Sequence, residues 1–99
     1  MIEVMAKVFE NTSKKLCIYS DNGMFRMIAV RRAITEDWQG SARYYGSMWY
    51  IETHQRQGHS FVPFRFSGLT YCVRKKQEII DMLSKSVNFK QAYAELKAK

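Results

Sequence analysis

The chain has 99 residues and a net charge of +7, from 16 Lys and Arg against nine Asp and Glu. A chain of that length makes one domain, residues 1–99, and buries roughly 60 to 70% of its unfolded surface without disulfide or metal staples. Its 46% hydrophobic content is too apolar for disorder, and its short apolar runs exclude a spanning helix of roughly 20 residues.

The excess of positive charge favours a polyanionic partner such as nucleic acid, an anionic membrane surface or an acidic protein. The first seven residues place an acid at Glu3 and lack a sustained apolar region. They read as no signal peptide, which sets the expectation of an intracellular, cytoplasmic protein. Cys17 and Cys72 lie far apart in apolar contexts, where a buried reduced thiol is the commonest state.

In chain order, residues 2–9 alternate as a strand does and residues 15–20 are β-prone. Asp21-Asn22-Gly23 then reads as a tight turn, because Asn22-Gly23 accepts the positive φ values of a type I′ hairpin. Residues 24–34 follow as a strand. A helical stripe of Met24, Met27, Ile28 and Arg31 is the competing pattern, outweighed by β-branched content and the preceding turn. Residues 35–41, with Glu36 and Asp37 beside Trp38, read as the main loop.

Residues 43–66 are the richest stretch, holding seven of the 14 aromatic residues, both histidines and one acid, Glu52. They read as a second hairpin that turns near residues 55–58. A turn centred on Gln57-Gly58 sets Thr53 opposite Val62, Ile51 opposite Phe64 and Trp49 opposite Phe66, a core face. The other face carries Tyr50 opposite Arg65, Glu52 opposite Pro63 and His54 opposite Phe61, with Arg56 and His59 at the tip. Pro63 cannot donate to a ladder, which makes its strand an edge that is able to pair with a partner or a second copy.

Rings interleaved with cations suit unpaired bases, which stack on aromatic and guanidinium planes while cations hold phosphates. The opposing expectation is that the last helix covers this face and makes it core. Gln57-Gly58-His59-Ser60-Phe61-Val62-Pro63-Phe64 resembles the RNP1 octamer of the RRM family at its glycine, Phe61, Val62 and Phe64. Ile18-Tyr19-Ser20-Asp21-Asn22 is a fainter echo of that family's partner motif. The resemblance implies base stacking at His59 and Phe61. Gln57, His59, Ser60 and Pro63 depart from the pattern and the chain ends helical, so no membership is assigned.

After Ser67-Gly68, the residues Leu69, Cys72, Val73, Ile79, Ile80 and Leu83 mark the buried side of a helix reaching about Lys85, with Asp81 and Lys85 as an i,i+4 pair. A start at Lys75 would crowd Arg74, Lys75 and Lys76 at the helix's positive end. The helix is therefore expected to begin near Leu69 with these cations exposed along it, unless they face an anion; Arg31-Arg32 is a second basic pair. Asn88 is the expected cap of a last helix whose apolar face is Phe89, Ala92, Tyr93 and Leu96.

His54, His59, Cys17 and Cys72 lack metal-ligand spacing, so neither metal nor cofactor is expected. The sum is an α+β fold, an antiparallel sheet of four or five strands in two hairpins packed by one or two C-terminal helices. The leading expectation is a non-enzymatic domain binding single-stranded nucleic acid through Tyr50, His54, Arg56, His59, Phe61 and Arg65, with Arg74, Lys75 and Lys76 as a second patch. The alternatives are a regulatory or inhibitory protein docking on an acidic protein surface, and a small ribonuclease built on His54, His59, Glu52 and Arg56.

Overall fold

Of residues 24–34, Met24 belongs to the turn and 25–34 adopt strand rather than helix, and the strand runs on to Trp38. The computed structural model describes residues 7–38 and 41–98. Its elements are β1 (Val8–Asn11), β2 (Lys15–Tyr19), β3 (Phe25–Trp38), β4 (Ser41–Gln57), β5 (Ser60–Pro63), β6 (Cys72–Val73), α1 (Lys76–Leu83) and α2 (Lys90–Lys97). The strands form one antiparallel sheet in the order β1-β2-β3-β4-β5, with β6 also on β4. This is the α+β architecture the sequence predicts. No helix among the described residues is long and apolar enough to cross a membrane.

Alternation sorts each strand into two faces. Leu16 and Ile18 of β2, Met27 and Ala29 of β3, and Trp49 and Ile51 of β4 turn one way and are buried. Against them pack Ile79 and Leu83 of α1, and Phe89, Ala92 and Leu96 at and along α2, each set spaced at helical i,i+3 or i,i+4 steps. Phe25, Phe64, Phe66 and Phe89 extend this layer, with neighbouring ring centroids 4.9 to 6.0 Å apart. The Tyr71 hydroxyl accepts the Phe66 N–H at 2.6 Å, and the buried Thr53 hydroxyl donates to the Phe64 carbonyl, so the segment leaving β5 is tied to β4. Both helices therefore lie on one side of the sheet, and among the described residues no helix covers the other side.

Several expectations are corrected. The first turn is longer than a two-residue type I′ loop: Ser20 and Phe25 are its closing pair, and the Gly23 N–H donates to the Ser20 carbonyl at 3.0 Å. Ser20 and Asn22 side chains hold it by accepting the Phe25 and Met24 N–H groups. Residues 35–38 are strand, not loop, and pair as far as Trp38 with Ser41; Gln39 and Gly40, like residues 2–6 of the first predicted strand, lie outside the described residues. Beyond Arg31 and Trp49, among the described residues, β3 and β4 pair with each other alone and form a two-stranded ribbon leaving the body of the sheet.

The second hairpin turns at Gly58-His59, with Gln57 opposite Ser60, Arg56 opposite Phe61, Gln55 opposite Val62 and His54 opposite Pro63. Gly58 supplies the positive φ, 63°, at the first turn position, where other residues are strained. The expected pairs, Arg56 with His59 and Trp49 with Phe66 among them, are thus displaced by two residues. A slip of two preserves which side chains share a face, because the strand period is two.

Residues 69–75 are not helical. A short β6 pairs Val73 with Trp49, and α1 begins at Lys76 with Lys75 as its N-cap residue. The three cations do stand at the helix's positive end, and Glu78 makes that tolerable: its carboxylate accepts the Arg74 and Lys75 N–H groups at 2.9 and 2.8 Å. Asp81 accepts from Gln77 at 3.1 Å, and Lys85 lies past the helix end, so the expected Asp81–Lys85 pair is replaced. Asn88 does not cap α2. Phe89 holds that position, and the Asp21 carboxylate reaches across from the first turn to accept the Gln91 N–H at 2.9 Å.

Candidate nucleic-acid interface

Opposite the helices, the outward positions are Tyr19 of β2, Arg26 and Ile28 of β3, Tyr50, Glu52 and His54 of β4, and Phe61 of β5, all of one parity with respect to the buried set. A bulge between Val8 and Glu10 leaves Phe9 and Glu10 both on this outer side: Glu10 pairs with Cys17 and reaches Lys15 at 3.6 Å, while the Phe9 ring meets Tyr19. Bulges at sheet edges commonly re-aim side chains in this way and blunt the edge. Cys17 is on this side too but buried under its neighbours, and burial pushes its thiol pKa up. Its thiol and that of Cys72 are both free.

The centre of the face is Arg26. Its guanidinium lies 4.4 Å over the Phe61 ring, and its Nε donates to His54 Nδ1 at 3.4 Å. Tyr19 closes on the same ring, with centroids 6.1 Å apart and planes inclined 55°. Neighbouring strands sit about 4.8 Å apart, and β2 and β5 are separated by both β3 and β4. Tyr19 and Phe61 meet across that interval because both side chains lean inward over Arg26. Phe61 is half-buried by this packing on the open side of the sheet, rather than by a helix.

His54 is neutral in this setting. Burial lowers its pKa first and the Arg26 charge lowers it further, against the opposing pull of Glu52, whose carboxylate is 3.8 Å from Nε2. The cation of the cluster is therefore arginine, and the imidazole acts as its acceptor. The arrangement combines flat ring surfaces with a fixed positive charge, the two elements that single-strand binding requires.

The nine residues singled out from sequence fall into three places. Tyr50, His54 and Phe61 share the outer face; Arg56 and His59 are exposed at its β4–β5 tip, where Arg56 Nε donates to the Gly58 carbonyl at 3.1 Å. His59 is in the turn itself, so of the two stacking positions implied by the RRM-like octamer one alone, Phe61, lies on a strand. That strand is at the edge, not the centre, of the sheet. Arg65 stacks its guanidinium 4.1 Å over Tyr71, at the rim of a shallow recess of about 310 Å³ along β4 between β5 and β6. Arg74, Lys75 and Lys76 stand at the start of α1, on the other side of the sheet. Lys76 is engaged there: Nζ donates to the Asn11 side chain and, at 3.1 Å, to the Thr12 carbonyl, and burial lowers its pKa.

Arg26, Tyr19 and Phe9 are the members that sequence reasoning did not single out. The signal for Arg26 is present, since a strand over residues 24–34 that buries Met27 and Ala29 must turn Arg26 outward. The signal for its company is not, because Tyr19 and Phe61 are 42 residues apart in sequence. Compared with protein-family models, curated proteins and solved structures, the chain has no match.

Proposed function

We propose that the protein binds single-stranded nucleic acid on the outer face of its sheet, without catalysis, with bases on Tyr19, Phe61 and Tyr50 and phosphates drawn by Arg26 and Arg56. The observation that supports this most is the Arg26 guanidinium held over the Phe61 ring between Tyr19 and His54, on the side of the sheet that neither helix covers. An arginine stacked on a ring offers a planar surface and a charge together, which suits a base and its phosphate. Tyr50, at 40% exposure, extends the apolar surface along β4. The net charge of +7 supplies the long-range attraction.

Titration of labelled single-stranded DNA and RNA tests this. Saturable binding that weakens about tenfold between roughly 50 and 200 mM salt is the expected result. Phe61→Ala and Arg26→Ala should each weaken it by about tenfold while the domain stays folded. Absence of saturable, salt-sensitive binding would refute the reading. It would leave the acidic protein surface as the partner, for which the open β5 edge is the available strand: Phe64 N–H points to Thr53 of β4, so the donor-less nitrogen of Pro63 faces outward.

A further inference from the structure

Building on the reading of the outer face as a single-strand surface, we infer that its ligand is an unstacked, pyrimidine-rich strand, with successive bases on Phe9, Tyr19 and the Phe61–Arg26 pair. The three rings follow the strand order across the sheet, from β1 to β2 to β5. Each centroid is 6.1 Å from the next. Neighbouring nucleotides of a stacked strand are about 3.4 Å apart along its axis, roughly half that interval, and their bases are parallel.

The ring planes are not parallel. Phe9 stands at 86° to Tyr19, and Tyr19 at 55° to Phe61. A run of stacked bases that lies flat on Tyr19 meets Phe9 on edge and Phe61 at a steep tilt. A strand engages all three only if each base turns separately, which means giving up base-on-base stacking. That cost rises with the stacking strength of the strand, and it is larger for adenine than for thymine or uracil. Preferences of this kind arise from stacking and backbone flexibility without hydrogen-bond readout of base edges. The Arg26 Nε is occupied by His54, and the Arg56 Nε by its own turn, so neither is free to read a base edge.

The test compares oligothymidylate with oligoadenylate of equal length by fluorescence anisotropy, using the full chain. Thymidylate should bind about fivefold or more tightly. Equal binding, or tighter binding of adenylate, would overturn the inference and leave the single-strand reading standing; binding of neither would overturn both. Phe9 is 71% exposed, so Phe9→Ala should leave the melting temperature unchanged while weakening thymidylate binding about fivefold. Unchanged affinity in that variant would remove Phe9 from the row and overturn the three-ring arrangement.

Discussion

Arg26 and His54 illustrate how two side chains set one another's state. The guanidinium has His54 as the acceptor that holds it over Phe61, and the imidazole accepts only while its Nδ1 carries no proton. Burial and the arginine charge keep His54 neutral by lowering its pKa. The unfolded chain, with an ordinary histidine near 6.5, therefore takes up the proton first as pH falls. Stability contributed by neutral His54 is fully present above that value and is lost as pH falls toward the lower folded value. Denaturant titrations at pH 7.5 and in the range below about 6 should show the wild type losing more stability than His54→Gln. Equal losses would mean that His54 titrates alike in both states. The side chain is 13% exposed, which places the effect in the folded structure rather than in solvent.

At the scale of elements, the helices depend on groups from elsewhere in the chain. Helix α2 is eight residues long, too short to persist by itself in water. Its first turn is held by the Asp21 carboxylate on the Gln91 N–H, while the Asn88 carbonyl accepts the Asp21 N–H at 2.8 Å. At its other side Glu95 accepts the Lys7 N–H at 2.7 Å, fastening α2 to the segment entering β1. Asp21→Ala should cost about 1 kcal/mol in chemical denaturation, with Asp21→Asn recovering most of it. No change in the alanine variant would show that the cap contributes nothing. The sequence pattern locates the apolar face of α2 because that face repeats locally. It cannot locate the cap, since the capping residue is 70 positions away. The late start of α1 has a similar origin: Val73 is drawn into pairing with Trp49, and this tertiary strand contact displaces about the first two turns of the expected helix.

For the whole molecule, one side of one sheet packs against both helices and the other side is covered by neither. Among the described residues Phe89 is the largest fully buried side chain, linking Phe66 to the helical layer. Phe89→Ala should destabilise the fold by about 3 to 5 kcal/mol, a large part of the 5 to 15 kcal/mol typical of a domain. Phe61→Ala, on the opposite side, should cost much less in the same thermal or denaturant measurement. Comparable losses for the two variants would contradict the division of the sheet into a packed and an open side. The expectation that the last helix covers Tyr50 and Phe61 fails for a simple reason: the apolar faces of α1 and α2 pack instead on the side bearing Leu16, Ile18, Met27 and Ile51, together with Phe66, Leu69 and Tyr71.

Face assignments, and element types outside residues 35–38 and 69–75, were determined by the sequence itself, because the two-residue period of a strand and the three-to-four-residue period of a helix are written in consecutive positions. Trp49 and Ile51 against Tyr50 and His54, or Phe89, Ala92 and Leu96 along α2, need no distant information. The tertiary structure alone decided the two-residue displacement of the second hairpin, the Asp21 cap, the strand at Cys72–Val73 and the meeting of Phe9, Tyr19, Arg26 and Phe61. Each depends on which distant residues come together, and that is set by turn geometry and packing summed over the whole sheet. The candidate surface was thus half legible: its orientation came from alternation, while its central arginine and its row of rings came from the fold.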